Sequence, residues 1–143
     1  PMTIKTYLGF DVGTKRTGIA IANSLTSHAN GIETVAHNKD GSTNWGELEV
    51  IINERKPDIF IVGLPLDKDN QEQEMTFIAK SFGRKLEKRF NISVFFIDEY
   101  LSSLEAKKQL KWHHAHKNAD RGEVDKRSAE LILQTWLNET TRD

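Results

Sequence analysis

The sequence predicts an α/β fold: a five-stranded mixed sheet, its first three strands antiparallel, with helices on both faces. Three observations predict it. Apolar, β-rich runs recur along the chain, and the first two are separated only by the short turn from Gly13 to Gly18. Later runs alternate with stretches of helical periodicity. A short turn joins antiparallel neighbours, whereas strands separated by helices pair in parallel.

The elements follow in order. Residues 4–11 are apolar and end on Asp11; residues 17–23 form a second run and 32–37 a third. The short turn makes the first two a hairpin. A helix fits 44–55, with Trp45, Leu48 and Ile52 at helical spacing and Pro57 closing it. Asp58 to Gly63 is a continuous apolar run, as in a strand buried on both faces. A long helix over 71–90 carries a stripe of Met75, Ile78, Phe82 and Leu86. Residues 92–97 form the last strand. Ser102 and Glu105 read as a capping box for a short helix over 102–110, before a polar loop over 111–121. A final helix spans 123–138. No repeat, low-complexity tract or linker interrupts the chain, so residues 1–143 form one domain.

Composition narrows the function. The chain has no cysteine, which excludes disulfides and thiolate-bound zinc and suits a reducing compartment. It shows no basic-then-apolar leader and no apolar run near the roughly 20 residues that span a bilayer. The expectation is a soluble cytoplasmic protein without a membrane partner. A net charge of −1 does not advertise a nucleic-acid binder, but basic residues gather between Lys107 and Arg127, around His113, His114 and His116. A charge run of that kind also fits a solvated loop.

Carboxylates stand at special places. Asp11 ends the first strand; Asp98 and Glu99 follow the last one; Asp125 opens the final helix. On a 3.6-residue period Asp125 shares a face with Ser128, Ala129, Ile132 and Trp136, so it should point at the sheet. Each position has a plainer reading: a simple hairpin turn for Asp11, a loop edge for Asp98 and Glu99, and the helix dipole for Asp125. By itself, Asp11 also suits a phosphate-binding loop. The proposed sheet brings all these ends to one edge, where ligands collect. No lysine falls among them. Clustered hard oxygen donors of this kind call for cations such as Mg²⁺ or Mn²⁺.

Four motifs in order carry a resemblance over nearly the whole chain. They are Gly9-Phe-Asp-Val-Gly-Thr-Lys-Arg-Thr-Gly-Ile-Ala20, Ile61-Val-Gly-Leu-Pro-Leu66, Asp98-Glu-Tyr-Leu-Ser-Ser-Leu-Glu-Ala106 and Val124-Asp-Lys-Arg-Ser-Ala129. With these the chain resembles the bacterial YqgF-type family, also called RuvX, of the RNase H-like superfamily. The resemblance implies a metal-dependent nuclease that matures the 5′ end of pre-16S rRNA in ribosome biogenesis, or alternatively a Holliday-junction resolvase. It implies Asp11, Glu99 and Asp125 as catalytic and metal-binding residues, with two ions between them. Glu99 is preferred to Asp98 as a ligand, because adjacent strand residues face opposite ways. Gly63 to Pro65 would line the site.

Lys15, Arg16, Lys117, Arg121, Lys126 and Arg127 would hold a nucleic-acid backbone, with Tyr100 beside them. Tyr100 and Trp112 could stack on unpaired bases or simply pack. The partners implied are structured RNA, ribosomal precursor particles or branched DNA, met by a monomer or homodimer. Two residues depart from the family pattern. Tyr100 stands where many relatives have arginine, replacing a phosphate contact with a hydroxyl. Asn70 stands where relatives have glycine, and tolerates a left-handed backbone. Two rival classes remain. One is a nucleotide binder of the actin and sugar-kinase type, which needs a second domain; the other is a non-catalytic nucleic-acid-binding module.

Overall fold

The computed structural model describes residues 3–67, 69–99, 112, 115 and 120–140. Five strands are present: β1 (Thr6–Val12), β2 (Arg16–Asn23), β3 (Asn30–Ala36), β4 (Ile59–Pro65) and β5 (Ser93–Glu99). Their order across the sheet is β3-β2-β1-β4-β5. β1, β2 and β3 pair antiparallel, while β4 pairs parallel with both β1 and β5. Three helices are α1 (Trp45–Arg55), α2 (Glu74–Phe90) and α3 (Arg121–Thr140). The mixed sheet expected from the sequence is thus observed, with element ends shifted by at most three residues.

The sheet separates two cores. Leu8, Phe10, Val12, Phe60 and Val62 face α1 and α2, where Leu48, Ile52, Phe82 and Leu86 meet them. The opposite face presents Ala20, Ala22, Ile61 and Ile97 to Ala129, Ile132, Leu133 and Leu137 of α3. Alternation along each strand therefore decides which residues look at α3. Tyr7, Gly9 and Asp11 do on β1, and Ile97 and Glu99 do on β5; Asp98 points away and is exposed.

Helix ends follow local chemistry. The Asn44 side chain accepts the Glu47 amide, and Lys56 ends α1 in a left-handed conformation just before Pro57. Helix α2 was expected from residue 71 but begins at Glu74. The Asp67 side chain accepts the amides of Asp69 and Gln71, building a turn that delays the helix. Asn70 closes it at φ +60°, the conformation a glycine would take without strain.

The apolar stripe of α2 is also rotated from the expected one. Thr76, Ala79, Phe82, Gly83 and Leu86 face inward, while Ile78 is exposed. The Thr76 hydroxyl donates to the Pro65 carbonyl, and Gly83 lies against the Phe96 ring, where a Cβ would come within 2.5 Å. A reading by large apolar residues misses an interface built on small ones.

At α3, Asp120 caps the helix by accepting the Glu123 amide, 2.9 Å away. The helix therefore starts at Arg121, and Asp125 lies one turn in rather than in the first turn. The short helix expected over 102–110, Tyr100, Lys117, His113, His114 and His116 lie outside the described residues. Trp112 and Ala115, expected in a loop, have helical backbone.

Candidate active site

Asp11 sits on the α3 face of β1, paired across the sheet with Gly18 of β2. Gly18 is the point where α3 comes closest: a Cβ there would lie 2.1 Å from the Asp125 carbonyl oxygen. The bare backbone at Gly18 thus lets the turn of α3 that carries Asp125 rest on the first hairpin. Ser128, one turn further along α3, hydrogen-bonds Asp11.

Glu99 arrives from the other side. It is the last residue of β5, two strands from β1, with β4 between them. A Cβ on Gly63 of β4 would lie 2.9 Å from Glu99 Oε2 and 2.6 Å from Ile132 Cδ1. The missing side chain at Gly63 leaves room for the Glu99 carboxyl to lie across β4 toward Asp11. The motif glycines, Gly18 and Gly63, are therefore the clearances that let two carboxylates reach the third.

The electrostatics record that proximity. Burial, and then the charge of Asp125, raises Asp11 to a pKa of about 6, with the Ser128 hydrogen bond working the other way. Burial, and then the charge of Asp11, raises Glu99 to about 8. Like charges close together in a sheltered place disfavour ionisation of each. Asp11 stands between the other two and feels both.

One cation is present after all. Arg16 Nε donates to Asp125 Oδ2 at 2.7 Å, joining the start of β2 to α3. The sequence reading found no lysine among the carboxylates and gave Arg16 to the substrate backbone; the structure places it inside the acidic group. Among the described residues, no three side chains of metal-ligating type converge closely enough to hold one ion as they stand. The donors themselves, hard oxygens in a sheltered and negatively charged cleft, suit Mg²⁺ or Mn²⁺.

The remaining basic residues are dispersed. Lys15 is exposed on the hairpin turn and Arg121 on the first turn of α3. Lys126 pairs with Glu123 at 3.1 Å, and Arg127 with Glu130 at 2.9 Å. The Arg127 guanidinium also lies 5.9 Å from the Trp112 ring centroid, and its Nε is buried without a hydrogen-bond partner among the described residues. Sequence reasoning missed Ser128 as a partner of Asp11. It also missed His37, whose ring meets Thr17 Oγ1 and the Thr14 carbonyl, each at 3.1 Å, and so pins the hairpin turn. For Ser128 the signal was available, since it shares the helix face of Asp125.

A family model described as "RuvX: Holliday junction resolvase" matches residues 5–139. The chain belongs to the RuvX family. A relative from Aeromonas salmonicida is 41% identical over 96% of this chain and 98% of its own length, and one from Saccharophagus degradans is 43% identical over 94% of each. Both are named for a pre-16S rRNA nuclease role. Among solved structures, Thermus thermophilus RuvC in complex with a Holliday junction aligns with a TM-score of 0.60 at 12% identity, covering 96% of each chain. The fowlpox virus resolvase in its junction complex aligns at 0.58 and 14% identity, covering 94% of this chain and 98% of its own. These likenesses assign the RuvX chain the RNase H-like fold expected from its motifs.

Proposed function

We propose that the protein is a metal-dependent phosphodiester hydrolase acting on structured RNA, in 5′-end maturation of pre-16S rRNA. The observation that carries the chemistry is the row Glu99–Asp11–Asp125, built from β5, β1 and α3, with Gly18 and Gly63 leaving room for it. Stability alone would not favour such a row. Two carboxyls pushed to about 6 and about 8 oppose the fold's own charge state unless a cation joins them. The RNA substrate rests on the names of the relatives.

The chain's residues divide the work. Asp11, at the centre, would hold the metal together with Glu99 and Asp125, whose carboxyls would complete the oxygen set. Ser128 fixes the orientation of Asp11 through its hydrogen bond. Lys15 and Arg121, exposed near the ends of the elements that carry Asp11 and Asp125, hold substrate phosphates without reading bases. A bound pair of Mg²⁺ or Mn²⁺ ions would supply activation of water and neutralise charge on the leaving oxygen. No side-chain nucleophile is required.

The description of the family model favours a second reading, cleavage of four-way DNA junctions. One assay separates the two. Purified protein is incubated in Mn²⁺ or Mg²⁺ with a structured RNA bearing an extended 5′ end, and separately with a four-way junction. Cleavage of the RNA, abolished by Asp11→Asn, is expected. Cleavage of the junction alone would transfer the activity to DNA. Binding without cleavage of either would leave a non-catalytic module.

A further inference from the structure

The Arg16–Asp125 pair has a use beyond docking α3 on the hairpin. We propose that Arg16 is a resident counter-ion of Asp125 that an arriving metal displaces, freeing the guanidinium to grip a substrate phosphate; the inference rests on the metal-hydrolase reading above.

Four observations carry it. First, the pair is sheltered: the two side chains are 28% and 23% exposed, and the partners come from segments 109 residues apart. A pair so placed is less screened than a surface ion pair. Second, the contact is single-point. Arg16 uses Nε, and its terminal nitrogens make no bond among the described residues. A guanidinium held by one donor keeps its forked edge for a phosphate, which it matches bidentately.

Third, Arg16 is the only basic side chain paired with any of Asp11, Glu99 or Asp125 among the described residues. It already does part of a cation's work there. Fourth, no three metal-ligating side chains now converge on one point among the described residues. Asp125 is held toward Arg16. To share an ion with Asp11, Asp125 must loosen its bond to Nε, and a divalent ion brings twice the charge of the guanidinium to that oxygen.

The consequence is an order of events. Metal occupancy releases Arg16, and released Arg16 sits on the hairpin beside exposed Lys15, facing where a phosphate would lie. Because coupling between sites is reciprocal, phosphate held by Arg16 tightens the metal by the same factor. A simple staple between β2 and α3 would have none of these properties.

The test reads the arginine directly. In ¹H–¹⁵N spectra of the full chain, the Arg16 Nε–H signal is assigned by its loss in R16K. Saturation with Mg²⁺ is expected to shift it and abolish its protection from solvent exchange in wild type, but not in D11N. Calorimetric titration of Mn²⁺ is expected to show R16Q binding about tenfold more tightly than wild type, with a larger thermal shift on saturation. Should R16Q fail to fold, the spectrum of wild type alone still decides. An Arg16 signal unchanged while Mg²⁺ binds would overturn the proposal and leave a staple, as would weaker Mn²⁺ binding by R16Q. If wild type binds neither ion, the metal-hydrolase reading falls and takes this inference with it.

Discussion

Among the described residues, Glu99 carries the carboxyl pushed furthest from its ordinary value. Its carboxyl is raised from 4.5 to about 8 by burial and by Asp11. A carboxyl whose folded pKa lies above its unfolded one binds protons more tightly in the folded state. Metal-free stability is therefore greatest below about pH 4.5 as far as this group is concerned, and falls as pH rises toward about 8. Glu99→Gln removes that charge while keeping the shape. It should stabilise the metal-free protein at pH 8 by on the order of 2 kcal/mol, and by much less at pH 5. Thermal melts at the two pH values in chelator check this; an equal gain at both would mean that charge is not the cause. A second residue tests backbone rather than charge. Asn70 holds φ +60° in the turn before α2. Asn70→Ala should cost about 1 kcal/mol, and Asn70→Gly should be nearly neutral. Urea midpoints of the two variants report the difference.

At the scale of elements, α3 carries most of the arrangement. It covers one face of the sheet, and it reaches the hairpin because Gly18 and Gly31 have no side chains beneath Asp125 and Lys126. Gly18→Ala would drive a methyl group into the Asp125 carbonyl, so the helix must lift. A loss of about 3 kcal/mol is expected, the range for overpacked sites, together with weaker metal binding. Asp120→Ala removes only the cap and should cost about 1 kcal/mol while leaving metal affinity unchanged. Calorimetric titration with Mn²⁺ separates the two variants: equal loss of metal binding would mean that α3 acts through its stability and not through its seat on Gly18.

The same elements show what the sequence made legible. Strands β1, β2, β4 and β5 could be read because each is an apolar run bounded by turns; Asp11 and Glu99 stood out because they lie where such runs stop, and Asp125 because it shares a helix face with apolar residues. The start of α3 was misjudged because Asp120, a cap, stood in a stretch read as loop. The inward face of α2 was misjudged because Thr76, Ala79 and Gly83 make contact by being small. The Arg16–Asp125 pair could not be read at all: partners separated by 109 positions leave no local pattern.

Across the whole molecule, the site exists only because the sheet closes. Asp11, Glu99 and Asp125 come from β1, β5 and α3, and β4 spaces the first two. In the unfolded chain these carboxylates are far apart and offer no shared site. A cation that needs them together binds the native state alone and shifts global unfolding by mass action. At a hundredfold excess over its dissociation constant the gain is about 2.7 kcal/mol. For a chain of this size that corresponds to a rise in Tm of about 5 to 10 °C. Protons compete for the same oxygens, since Asp11 and Glu99 titrate at about 6 and about 8. At fixed Mn²⁺ the rise should accordingly be larger at pH 8 than at pH 6. It should vanish in Asp11→Asn and be reversed by chelator. Because Asp11 is the carboxylate that interacts with Asp125 on one side and Glu99 on the other, that variant should respond as if the shared site were gone. Differential scanning calorimetry of wild type and Asp11→Asn at both pH values measures each of these. A rise that persists in Asp11→Asn, or one that shrinks with increasing pH, would place the cation somewhere other than on this row.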